Sequence, residues 1–189
     1  MPNYTGINHL AMATADMAGT IRFWRDLLGM RLVAGLGRQG YRQYFLEISP
    51  TDMIAFFEWD RVQPIEAKDH GVPVSGPLAF DHVSIGVAGR QDLWEIKDKL
   101  EAAGFWASEI VDHGFIWSLY CFDPNNIAIE FSWPVPGVDL RRSPRMADKS
   151  RPKVGLEGSE PRPGHWPTVT NPTQPEDFLT YPGEGQELL

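Results

Sequence analysis

The period of the hydrophobic pattern switches twice along the chain, in the same order each time. From Gly6 to Ala13 apolar and small residues suit a strand. A helix follows, with Asp16 as its N-cap, Ile21, Trp24, Leu27 and Leu28 at helical spacing, and Gly29 at its stop. Arg31–Trp59 reads as two or three strands, broken by the glycines of Gly35-Leu36-Gly37 and by the turn Ser49-Pro50-Thr51-Asp52. The order then returns. A strand near Phe80–Val87 leads to a helix from about Gln91 to Ala103, with Leu93, Ile96 and Leu100 on one face and Gly104 at its end. Strands follow over Trp106–Val111, Ile116–Phe122 and Ile127–Trp133.

This pattern predicts an α+β fold: two βαβββ modules forming a cupped mixed sheet, with an extended C-terminal tail. The first module spans residues 1–60, a linker rich in charge, proline and glycine spans 61–77, the second module spans 78–134, and a proline-rich tail spans 135–189. From Pro134 onward the chain holds ten of its 16 prolines and no periodicity. The tail's Trp166, Phe178, Leu179 and Tyr181 favour wrapping over the domain or docking on a partner subunit.

The doubling is also visible residue by residue. Ile7-Asn8-His9-Leu10 lies over Phe80-Asp81-His82-Val83, and Ser49–Trp59 lies over Asp123–Trp133 without a gap, which sets Phe56 opposite Glu130. Each copy opens on a histidine strand, and the second alone ends on a carboxylate strand. Strand parity puts Ala128, Glu130 and Ser132 on one face, and His82, Ser84 and Gly86 on another small, polar face. His9 has Ile7, Ala11 and Ala13 as face-mates. Small neighbours leave room for something between the three polar side chains. Two imidazoles and one carboxylate make a three-ligand metal site with open positions for substrate.

Composition narrows the partners. A formal charge of −8 and a pI near 5.1 argue against nucleic acid or an anionic membrane, both of which need a basic face. A hydrophobic content of 42% suffices for one compact domain or two small modules sharing a core. No apolar run has membrane length, and Met1–Tyr4 shows no signal-peptide pattern, so a cytoplasmic setting is expected. The single cysteine, Cys121, forms no internal disulfide and reads as a buried bystander in a reducing compartment.

The motifs Asn8-His9-Leu10, Phe23-Trp24-Arg25-Asp26-Leu27-Leu28-Gly29-Met30, Asp81-His82-Val83 and Tyr120–Asn126 with Ile129-Glu130-Phe131 resemble the vicinal oxygen chelate superfamily: the glyoxalase, bleomycin-resistance and ring-cleaving dioxygenase group. The resemblance covers residues 6–133 and implies paired modules cupped around a divalent ion held by His9, His82 and Glu130. Glyoxalase I enzymes carry a carboxylate or similar ligand at the end of both modules; here that place in the first module reads as Phe56. Glu58, two residues on, is a pocket-rim or surface carboxylate, and a ligand only if the strand is shifted or bulged. The pattern is therefore most similar to extradiol dioxygenases. That implies Fe(II), with Mn(II) as an alternative, a catechol or related small aromatic substrate, O2, and a homodimer. Tyr120, ten residues before Glu130, and His113 are the expected proton-handling groups. Phe56, Phe115 and Trp117 are the expected aromatic wall. His70 and His165 read as surface residues.

Two other enzyme classes resemble the chain. Fosfomycin-resistance thiol transferases also use two histidines and one glutamate, but carry a threonine where this chain has Ala11. A glyoxalase-type lyase or isomerase would want a ligand in place of Phe56. A metal-free drug-sequestering module of the bleomycin-resistance type is the non-enzyme alternative, opposed by the three ligand-type residues. Bound iron would favour the oxygenase, manganese would leave the transferase open, and no metal would favour sequestration.

Overall fold

The structure, a computed structural model, describes residues 6–38, 41–68, 70–73, 75, 80–145, 147, 156–161, 167–183, 186 and 188. The expected doubling is present. Strand β1 (His9–Thr14) leads to helix α1 (Met17–Ile21), and strands β2 (Arg31–Arg38), β3 (Tyr41–Glu47) and β4 (Met53–Glu58) complete one sheet in the order β1-β4-β3-β2. Strand β5 (Val83–Gly86), helix α2 (Arg90–Ala102) and strands β6 (Val111–Asp112), β7 (Ile116–Phe122) and β8 (Ala128–Pro134) repeat it in the order β5-β8-β7-β6. In both sheets the first strand runs parallel to the last, and the other pairings are antiparallel. The two four-stranded mixed sheets make an α+β fold and are not closed into a barrel.

Local chemistry sets the element ends. Asp16 caps α1 by accepting from the Gly19 amide at 2.9 Å. The helix widens to a π-helical stretch over Arg22–Leu27, and Gly29 ends it at φ +79°, a conformation costly for residues with a side chain. Gly104 at φ +80° ends the second helix in the same way. The strand expected over Trp106–Val111 is mostly absent. Ala107 makes one isolated bridge to Cys121, and β6 begins only at Val111.

One core joins the modules. Trp24, Leu46, Ile54 and Phe56 from the first module share it with Ile85, Leu93, Leu100, Leu119, Cys121, Ile129 and Phe131 from the second. Beside it runs a buried polar seam. Thr14 Oγ1 donates to Asn125 Oδ1 at 2.7 Å, Thr20 Oγ1 donates to Thr14 Oγ1 at 2.9 Å, and Asn125 Nδ2 donates to Thr20 Oγ1 and Asp123 Oδ2. Trp24 Nε1 reaches the same Asp123 carboxylate at 3.3 Å. A buried polar group must be hydrogen-bonded to be tolerated, and this seam satisfies both modules at once.

The shared core fixes which faces remain outside. Core residues occupy the helix-facing side of each sheet, so the alternating residues His9, Ala11 and Ala13 in β1, and Ser84 and Gly86 in β5, look away from it. The β1 and β5 edges flank a cleft of about 380 Å³ that Leu10, Met53, Ile54, Val83 and Ile85 help to line. In the tail, Phe178, Leu179 and Tyr181 are exposed in the single chain, so they do not wrap over it. Trp166 and His165 lie outside the described residues. Among the described residues, no helix is long and apolar enough to cross a membrane.

Candidate metal centre

The second sheet gathers a polar cluster on its outward face. Pairing sets Ser84 beside Glu130 and Tyr120 across from Glu130, and strand parity adds Ser118 and Ser132 to the same face. Glu130 is 4% exposed. Its Oε1 accepts from Ser118 Oγ at 2.5 Å and from the Tyr120 hydroxyl at 3.2 Å, and its Oε2 lies 3.1 Å from His82 Nε2. Burial pushes the Glu130 carboxyl up, but hydrogen bonds from Ser118 and Ser84, the His82 charge and the Tyr120 hydroxyl bring it below its ordinary value.

His82 is held from behind. Asp81 Oδ1 lies 2.7 Å from His82 Nδ1, which fixes the ring and aims Nε2 at the Glu130 side. Asp81 itself is held well below the usual carboxylate range by Lys68 and His82. The first module copies this device: Asn8 Oδ1 lies 2.9 Å from His9 Nδ1, and the ring packs edge-on to Phe45 with centroids 5.4 Å apart. Both histidines thus have Nδ1 occupied by the side chain of the preceding residue. An orienting partner on one ring nitrogen is the arrangement that metal-ligating histidines use.

Tyr120 and His113 come together as well. His113 Nε2 is 2.9 Å from the Tyr120 hydroxyl. With Tyr120 donating to Glu130, the phenol oxygen accepts from His113. Burial first, opposed by Ser118 and reinforced by the Glu130 charge, raises the Tyr120 pKa, so the phenol stays protonated at neutral pH.

His9 does not join this cluster. Among the described residues, no three histidine, cysteine, aspartate or glutamate side chains assemble in metal-holding geometry. His82 and Glu130 lie together on the outer face of the second sheet, and His9 stands on the outer face of the first. The donor set of the second sheet fits a divalent ion: a buried carboxylate beside an imidazole whose far nitrogen is already tied.

The expected aromatic wall is corrected. Phe56 is wholly buried in the core, its ring 5.8 Å from that of Trp24, and does not line the outward face. The cause is a one-residue slip in the internal alignment. Ala55 pairs with Ala11 and Phe45, as Glu130 pairs with Ser84 and Tyr120, so Ala55 is the counterpart of Glu130. A slip of one residue turns every side chain of a strand to the opposite face. Alanine cannot coordinate, so this position supplies no ligand. Trp117 packs between Trp94 of α2 and Trp133, on the helix side of β7. Phe115 is exposed in the turn before β7. Glu58, expected as a rim or surface carboxylate, is engaged elsewhere: its Oε1 accepts from the Met17 amide at 2.9 Å and its Oε2 pairs with Arg42 at 2.8 Å.

Three contributors were not foreseen. Ser118 follows from parity with Tyr120, and Asp81 from its position before His82, matching Asn8 before His9. His70, expected at the surface, stacks on Tyr120 with centroids 3.4 Å apart. No sequence signal in the aperiodic linker marks it.

Comparison with known proteins follows this geometry. The family model described as Glyoxalase/Bleomycin resistance protein/Dioxygenase superfamily matches residues 6–131. No curated protein matches the chain significantly. Among solved structures, a glyoxylase/bleomycin resistance protein/dioxygenase domain from Frankia sp. EAN1pec has a TM-score of 0.60 at 20% identity, covering 72% of this chain and 96% of that one. The fosfomycin resistance protein FosX from Listeria monocytogenes has a TM-score of 0.52 at 14% identity, covering 71% and 97%. The trypanothione-dependent glyoxalase I of Leishmania major has a TM-score of 0.51 at 19% identity, covering 68% and 86%. At these identities the likeness is one of fold.

Proposed function

The chain belongs to the glyoxalase/bleomycin resistance protein/dioxygenase superfamily, and we propose that it is a divalent-metal enzyme whose centre is completed by a second copy of the chain. The observation that carries this reading is the His82–Glu130 pair, 3.1 Å apart, with Asp81 behind the imidazole. In this reading His82 and Glu130 of one chain and His9 of a second copy hold the ion. The outward direction of both histidine faces supports a homodimer in which the first sheet of one chain meets the second sheet of the other.

The finer reading is extradiol-type oxygenation of a catechol or a related small ring bearing adjacent oxygens, with Fe(II) and O2; Mn(II) is the alternative ion. Two histidines and one carboxylate, with Ala55 where a fourth ligand would stand, support it over a four-ligand isomerase. Held by these residues, a divalent ion would supply Lewis acidity, making a substrate hydroxyl more acidic. The chain's residues do the rest. Tyr120 offers a protonated hydroxyl beside Glu130, and His113 is within hydrogen-bond reach to replace or remove that proton. Ser84, Ser118 and Ser132 keep the surrounding face polar.

Anaerobic titration with Fe(II) and Mn(II), followed by oxygen uptake across a panel of catechols, tests the proposal. Tight binding that is lost in His82→Ala and Glu130→Ala is expected, with oxygen consumed by the iron form. Iron bound as expected but inert toward every catechol would end the ring-cleavage reading. Absence of binding would end the metal reading altogether.

A further inference from the structure

The linker between the modules reaches into the outward face of the second sheet. Lys68 Nζ lies 2.7 Å from Asp81 Oδ2, and the Gly71 amide donates to both oxygens of that carboxylate at 3.2 and 3.3 Å. Between these two ties the His70 ring lies flat on the Tyr120 ring, with planes 4° apart and centroids 3.4 Å apart. His82 stands at right angles to both, 6.2 Å from each. The Tyr120 hydroxyl is held by Glu130 and His113, so the phenol ring cannot turn aside.

In these contacts the His70 imidazole has the Tyr120 ring as its floor and the His82 ring as a side wall. Aromatic pairs left to themselves prefer offset or edge-on packing. A face-to-face stack tied on both flanks is therefore a shape the fold imposes. Asp81 is 43% exposed and Lys68 18%, so the tie lies at the surface and is open to solvent screening on one side.

We propose that the face of Tyr120 is a binding slot for a flat unsaturated ring, phenolic or heteroaromatic, and that His70 is the chain's own occupant of it. Ring ligands enter by displacing His70, and the Lys68–Asp81 tie sets how readily they do so. The inference deepens the proposed function, since the slot shares Tyr120 and His82 with that centre, and because its test uses no ion, its failure is distinguishable from failure of the metal reading.

The test uses the full chain without added metal, with tyrosine rings isotopically labelled and the Tyr120 signals assigned through Tyr120→Phe. Stacking shifts the ring protons of Tyr120 upfield in the unaltered chain. His70→Gly should abolish that shift. Added imidazole or phenol should then restore it, at concentrations at least about tenfold below those needed in the unaltered chain, a ratio worth about 1.4 kcal/mol. Lys68→Ala should lie between the two. His70→Phe should stay closed, and cyclohexanol, which is not flat, should leave the signals of His70→Gly unmoved. Tyr120 signals identical in the unaltered chain and His70→Gly would overturn the proposal. So would equal binding of the flat probes to both, or tighter binding to the unaltered chain.

Discussion

Replacing Phe56 by alanine separates a core residue from a pocket wall. Its ring is fully buried against Trp24, in the cluster that both modules share. A buried phenylalanine removes about 200 Å² from water, which at about 25 cal/mol per Å² is about 5 kcal/mol. That figure is an upper bound, because the unfolded chain already hides part of the ring. Measured phenylalanine-to-alanine changes in cores cost about 3–5 kcal/mol, cavity included. Phe56→Ala should therefore lower the unfolding free energy by about 3–5 kcal/mol. Phe57→Ala, one residue along on the His9 face and only half-buried, should cost no more than about 2 kcal/mol. Urea denaturation followed by far-UV circular dichroism reads both, with the midpoint moving and the slope unchanged. A loss below about 1 kcal/mol for Phe56→Ala, or a larger loss for Phe57→Ala, would refute the strand register argued above.

Three further outcomes follow from the geometry. Asn125→Ala removes the shared partner of Thr14, Thr20 and Asp123, and should destabilise the chain by about 2–3 kcal/mol in the same denaturation assay; a change within 0.5 kcal/mol, about that of a neutral surface substitution, would contradict the seam. Asp81→Ala should weaken metal binding about 10- to 100-fold in titration calorimetry while leaving the ligands in place; unchanged affinity would deny it the orienting role. Glu130 has a folded pKa below its ordinary value, so its contribution to stability is present above the carboxylate range and is lost as pH falls through that depressed value. Thermal melts from pH 7 down to pH 3 should show a shallower acid loss for Glu130→Gln than for the unaltered chain, and identical acid limbs would contradict the shift.

The fold was readable because each module repeats the same switch of period, from strand to helix to strands, with Gly29 and Gly104 closing the helices. On the second module the small, polar face of His82, Ser84 and Glu130 follows from strand parity, whereas the 2.9 Å contact between His113 and Tyr120, each singled out separately in the sequence, follows from no local pattern. The first module misled by one residue. Laying Pro50 over Pro124 aligned two prolines that the strand pairing does not match, and the slip carried Phe56 onto the wrong face. Trp117 failed for the same physical reason: odd and even residues of β7 look opposite ways. Nothing local could place His70, because its position is set by two ties to Asp81, ten and thirteen residues away from Gly71 and Lys68.

The central claim is that His9 of one chain completes the His82–Glu130 pair of another, and subunit mixing measures it. His9→Ala and Glu130→Ala should each bind little metal alone. Unfolded together in equal amounts and refolded, random pairing gives half mixed dimers, each with one intact centre, so the mixture should recover about a quarter of the metal held by the unaltered protein. Recovery of no metal in demonstrably mixed dimers, or full binding by His9→Ala on its own, would contradict the shared centre.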